Sequence, residues 1–206
     1  MPAPDIPVAL STSSVYPLGV AEGFSIAQDL GYDGVEVMVT HRTETHQAEV
    51  LNRLSEKFGL QIMAIHAPTL LLTQQVWGSA WEKLAKSAQL ALDVGCGVVV
   101  AHPPFRWQAG YAEGFAGGIA EIEERTGVLF AVENMYPWRA GGREATMYLP
   151  HWDPVDQPYP HVTWDFSHAA TAEADSRSSV EALGSRLRHV HLTDGWSNGF
   201  KDDHLI

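Results

Sequence analysis

Residues 162–168, Val-Thr-Trp-Asp-Phe-Ser-His, decide how the chain is read. Val162, Thr163 and Trp164 are β-branched or aromatic, the composition of a short buried strand. Asp165 then stands at the C-terminal mouth of that strand, with His168 in the loop just beyond it. A carboxylate and an imidazole released together at a strand end suit a divalent metal ion. An Asp after a strand is also a common helix cap or turn residue, so this motif alone leaves both roles open.

Outward from this stretch, strand-like segments recur at residues 8–11, 34–39, 61–66, 97–102, 128–134, 162–165 and 188–194. The repeat is roughly 30 residues, the length of a strand-plus-helix unit. Helix-period segments lie between them: 20–30 ending at Gly31, 46–58 ending at Gly59, and 79–94 ending at Gly95. Two more cover 112–125, ending at Thr126-Gly127, and 178–187. Residues 136–161 hold five prolines and read mostly as irregular loop.

Strands apolar on both faces and separated by helices imply a parallel sheet covered by helices. An open doubly wound sheet and a (β/α) barrel both fit. No G-x-G-x-x-G follows the first strand, where STSSVYPLG stands instead, and this counts against dinucleotide binding. Polar residues gather at the strand C-termini along the whole series, as in a barrel whose strand ends share one mouth. The fold expected is therefore α/β, a (β/α) TIM-type barrel. Seven strands are countable, and a closed eight-strand barrel takes ~250 residues. The expectation is a single domain over residues 1–206, C-terminally incomplete and lacking its eighth βα unit.

Bulk properties limit the partners. The 206 residues are 45% hydrophobic and 18% charged, with a mean hydropathy of −0.11. A net charge of −12 with thirteen scattered Lys and Arg makes a poor surface for nucleic acid. The single cysteine, Cys96, lies in the apolar run GCGVVV and reads as a buried structural thiol. The N-terminus has no basic region followed by an apolar core, and no apolar run reaches membrane-spanning length. A cytoplasmic protein with no membrane partner is expected.

The residues at the strand ends carry the chemistry. Strand three ends in His66, strand four in His102, strand five in Glu133, and strand six in Asp165 with His168. Strand seven supplies His191 and Asp194, with Asp202, Asp203 and His204 soon after. A lone strand-end His is usually a hydrogen-bonded core or loop residue. Five consecutive strands delivering His, Asp or Glu at the same end form a set that fits a divalent ion. His189 and His191 are two apart and share a face, and His191 is nearer the mouth. His41, His46, His151 and His161 fall in loop or helix-start contexts and read as surface residues. Phe105, Trp107, Tyr136, Trp138 and Trp196 follow strand ends, and Trp107, Trp138 and Trp196 are candidate walls for a sugar face.

The motifs IHAP (65–68), AHPP (101–104), VEN (132–134), WDFSH (164–168), HLTD (191–194) and DDH (202–204) resemble the xylose isomerase-like TIM-barrel superfamily. That superfamily contains sugar isomerases and epimerases, inosose dehydratases and endonuclease IV-type apurinic endonucleases. The likeness to its sugar epimerases implies one Mn²⁺, Co²⁺ or Mg²⁺ held by Glu133, Asp165, His191 and a second Glu that would lie beyond Ile206. It also implies that His168 contacts a substrate oxygen. The likeness to the endonucleases implies a zinc site drawing on His66, His102, Glu133, Asp165, His168, His191, Asp202 and His204. In the epimerases a further Glu follows the first by six residues, where this chain carries Arg139.

The function the resemblance implies is a metal-dependent isomerase or epimerase of a small sugar, ketose or polyol, working by proton transfer through an enediolate. Glu133 would be both ligand and base, with His168 beside it. The rivals are a zinc-dependent endonuclease IV-type phosphodiesterase and a non-catalytic, truncated metal-binding barrel. In the last case an exposed sheet edge favours a homo-oligomer.

Overall fold

The computed structural model describes residues 6–69, 73, 75–140 and 143–195. These fall into two compact units: Met1–Val99 with Thr126–Val128, and Val100–Arg125 with Leu129–Ile206. Trp196, Asp202, Asp203 and His204, singled out in the sequence, lie outside the described residues.

In the first unit β1 (Ala9–Ser11), β2 (Gly34–Met38) and β3 (Gln61–His66) pair in parallel in chain order. Helix α1 (Val20–Leu30) follows β1, α2 (Ala48–Phe58) follows β2, and α3 (Ala80–Asp93) follows β3. Val20, Phe24 and Ala27 recur at helical spacing and are buried, so α1 lays one apolar face on the sheet side. Gly31 (φ 77°) and Gly59 (φ 65°) end α1 and α2 in the left-handed region that a side chain disfavours. Ser79 caps α3 by accepting from Glu82 N, and Glu82 returns a bond to Ser79 N at 2.8 Å. Phe24, Val35, Val37, Leu51, Ile65 and Leu84 are fully buried at the centre of this unit.

Strand β4 (Val98–Ala101) runs across the boundary between the two units in sequence. The second unit then holds α4 (Ala109–Thr126) up to Arg125, β5 (Leu129–Glu133), β6 (Trp138–Ala140), β7 (Arg143–Ala145) and β8 (His161–Asp165). It continues with α5 (Phe166–Ala172), α6 (Ser176–Leu183) and β9 (Leu187–His191). β5 pairs with β8 and β8 with β9, all in parallel. Phe115, Ile119, Phe130, Val132, Val162 and Trp164 are buried here, and Phe115 meets Tyr159 edge-on at 5.7 Å. Within each unit the parallel strands follow chain order with helices between them. A doubly wound sheet reverses its strand order partway, so this α/β connectivity is that of a (β/α) barrel.

Three local expectations change, while the proline-rich stretch 136–161 is mostly irregular as expected: within it β6 and β7 form a short antiparallel hairpin, and Phe105 bridges to Tyr148. There Phe105, Met135 and Tyr148 make a small apolar cluster with Met147 and Trp152 against it. His168 is not in a loop, because α5 starts directly at Phe166 and places it in the first helical turn. β9 is not buried on both faces but alternates half-buried and exposed residues, with Val190 turned outward. Of the four histidines read as surface residues only His41 is exposed; His46 is half-buried edge-on to Trp77 at 5.4 Å.

Candidate functional site

Strand pairing in the second unit brings residues far apart in sequence side by side. Asp165 and His191 are register partners across β8 and β9, and Glu133 is opposite Thr163 across β5 and β8. With a period of two, Glu133, Thr163, Asp165, His189 and His191 share one face. His189 and His191 do lie on the same side, their rings 5.1 Å apart.

Glu133 is the centre of the cluster. Its Oε2 lies 2.9 Å from His102 Nε2, and its Oε1 lies 2.9 Å from His191 Nδ1 and 3.3 Å from His168 Nδ1. His191 Nδ1 is also 3.4 Å from Asp165 Oδ2. Donor atoms of Glu133, Asp165 and His168 all fall within 4.8 Å of one another. Glu133, Asp165, His102 and His168 are buried, while His191 retains some exposure. Five of the residues singled out in the sequence thus meet in one place.

The electrostatics follow from that packing. Burial by itself raises the Glu133 pKa, but the charges of His191 and His102 and their hydrogen bonds outweigh it. The carboxyl is held well below the usual range and stays ionised. Asp165 Oδ1 accepts from His168 N at 2.7 Å and so caps α5, whereas its buried Oδ2 has no hydrogen-bond partner. A buried carboxylate oxygen that makes no hydrogen bond, with only the longer 3.4 Å contact to His191 Nδ1, is undersatisfied, and a cation removes the deficit. The donor set, two carboxylates among imidazoles, fits a borderline divalent ion.

The remaining sequence candidates stand on other elements. His66 ends β3 in the first unit, buried, with Nδ1 3.2 Å from Ala67 O. Trp107 is half exposed and stacks on Phe105 with ring centres 4.6 Å apart, and Trp138 in β6 is also exposed. Arg139 donates from Nη1 to Thr171 O at 2.8 Å and pairs with Glu144 at 3.2 Å. Among the buried polar residues that the sequence did not single out are Glu36, Lys83 and Asn134. Glu36 lies in β2 and accepts from Ser11 Oγ at 3.1 Å; a lone acid inside GVEVM was the available signal. Lys83 is buried in α3 and donates to Pro68 O and Thr73 O. Asn134 follows Glu133 and is fully buried, with only the motif VEN to mark it.

Comparison with known proteins agrees with this architecture. Residues 24–205 match the family model described as xylose isomerase-like TIM barrel. The uncharacterized protein ML2432 of Mycobacterium leprae (strain TN) is 41% identical over 223 residues, covering 98% of this chain and 79% of that protein. Among solved structures, a D-tagatose 3-epimerase-like protein superposes with a TM-score of 0.68 at 21% identity, over 97% of this chain and 79% of the other. Endonuclease IV from Thermus thermophilus superposes with a TM-score of 0.55 at 24% identity, over 96% and 80%. Strand connectivity, the matched span and the relatives lead to one assignment: this chain belongs to the xylose isomerase-like TIM barrel family.

Proposed function

We propose that the protein is a metal-dependent isomerase or epimerase of a small sugar, ketose or polyol, moving a proton alpha to a carbonyl. The observation that carries this reading is Glu133, an ionised carboxylate 2% exposed and bonded by imidazoles, with Asp165 Oδ2, which makes no hydrogen bond, 3.4 Å from His191 Nδ1. Residues 1–206 are assigned to one domain. Glu133, Asp165 and His191 are assigned as ligands of a Mn, Co, Mg or Zn ion. His66, His102, His168, Asp202 and His204 are assigned as further ligands or substrate contacts.

When bound, a divalent ion supplies Lewis-acid polarisation of a carbonyl and its neighbouring hydroxyl, which acidifies the adjoining C–H bond. Glu133, kept deprotonated by its histidines, is the group that takes the proton. His168 orients a substrate oxygen. Trp107, Trp138 and Trp196 offer flat apolar faces to a sugar ring. The net charge of −12 favours a small substrate over a polyanion.

A second reading, a zinc phosphodiesterase of the endonuclease IV kind, is favoured by one observation. His102 bonds Glu133 at 2.9 Å, which adds an imidazole that a one-ion epimerase site does not use. Elemental analysis together with solvent-deuterium incorporation into a panel of ketoses separates the readings. One ion per chain with chelator-sensitive exchange supports the isomerase. Three zincs per chain with cleavage of an abasic duplex supports the phosphodiesterase. Bound metal with neither activity leaves a non-catalytic metal binder.

A further inference from the structure

We infer that Asn134 is a positioning residue of this site: its side-chain amide extends the β5–β8 ladder by one step, and its main-chain carbonyl selects the nitrogen that His168 offers to a ligand. The inference rests on the metal-dependent reading above.

Regular pairing of β5 with β8 ends at Glu133 opposite Thr163, followed by Asn134 N donating to Thr163 O at 3.2 Å. The next rung needs an acceptor and a donor facing the peptide groups of Asp165. The Asn134 side chain supplies both. Its Oδ1 accepts from Asp165 N at 2.6 Å, and its Nδ2 donates to Asp165 O at 3.0 Å. The orientation of the amide follows from these partners, since an N–H requires an acceptor and a carbonyl requires a donor. An Asp of the same size accepts but does not donate, and a Leu does neither. Asn134 is fully buried, so neither bond competes with water.

Asn134 O also lies 2.8 Å from His168 Nδ1. A carbonyl only accepts, so the proton is on Nδ1 and the lone pair is on Nε2. Glu133 Oε1, 3.3 Å from the same nitrogen, acts in the same direction. One residue therefore fixes the main chain of Asp165, whose side chain caps His168 N, and the tautomer of the His168 ring. Such outer partners commonly change metal affinity about 10–100-fold.

The test uses the full chain labelled with ¹⁵N at histidine, in wild-type form and as Asn134→Ala and Asn134→Asp. In metal-free wild type, long-range ¹H–¹⁵N spectra are expected to show His168 protonated on Nδ1. Both variants keep the main-chain carbonyl but lose the side-chain bonds to Asp165 that fix its place beside Nδ1, so the carbonyl shifts, the tautomers mix, and Zn²⁺ affinity by chelator competition falls about 10–100-fold. Ile119→Val, a packing change in α4, controls for general loss of stability and is expected to alter neither readout. Wild type with the proton on Nε2 overturns the inference even if no variant folds. Variants with unchanged tautomer and Zn²⁺ affinity overturn it as well. A tautomer shift in a protein that turns over no sugar supports the inference and sinks only the proposed reaction.

Discussion

The main-chain N–H of His168 donates to Oδ1 of Asp165 at 2.7 Å, and this bond joins the end of β8 to the first turn of α5. Because Oδ1 caps the helix, Oδ2 is left beside His191, 3.4 Å from its Nδ1. Helix cap and site carboxylate, two alternatives in the sequence, are the two oxygens of one side chain.

Asp165→Asn and Asp165→Ala separate those roles. The amide keeps an oxygen for the cap, so thermal melts stay near wild type while bound metal falls. Alanine also loses the cap, at about 1 kcal/mol. For a protein of this size that lowers Tm by about 2–4 °C. Circular dichroism melts and metal content per chain read the two effects, and equal melting of both variants contradicts the cap.

Glu133→Gln removes the charge shared by His102 and His191 while conserving shape. Loss of a general base at this position lowers turnover by about 10²–10⁴-fold. Glu133→Ala removes the buried carboxylate that His102 and His191 share and destabilises by about 3–5 kcal/mol. Urea titration of the alanine variant measures the second effect, and an unchanged midpoint refutes it.

Gly34→Ala addresses the first unit. A Cβ at position 34 falls 2.5 Å from Gln61 O and 2.8 Å from Met63 Cγ, so β2 and β3 approach only because no side chain intervenes. Main chain cannot yield as a flexible side chain does, and the expected loss is about 1–3 kcal/mol. A denaturation midpoint equal to wild type disproves the close approach.

Cys96 is buried, and burial pushes its thiol above the ordinary value of 9.0. The folded state therefore holds the proton more tightly than the unfolded chain does. Its contribution to stability is whole below pH 9.0 and is lost as pH climbs through the raised value. Iodoacetamide at pH 8 is expected to modify native protein slowly and urea-unfolded protein fast. Equal rates by mass spectrometry contradict the burial.

Much of this molecule is legible in its sequence. Strand β3 was bounded at residues 61–66 by its own composition, and Gly31 and Gly59 stop their helices where the sequence places the stops. Helix α5 was hidden because it is only seven residues long, too short for a helical period to register. The hairpin Trp138–Ala140 with Arg143–Ala145 was hidden by prolines on either side of it.

By itself the amino-acid order determined which residue types stand at each strand's C-terminal end, because a strand's alternation and a helix's turn are local properties of the chain. Only the tertiary structure decided which atoms meet. Glu133 and His191 are 58 residues apart and Asn134 and Asp165 are 31 apart, so their contacts depend on parallel register, a non-local property. The tautomer of His168 and the division of labour between the oxygens of Asp165 arise from those contacts, because the partners that the fold supplies determine the state of each group.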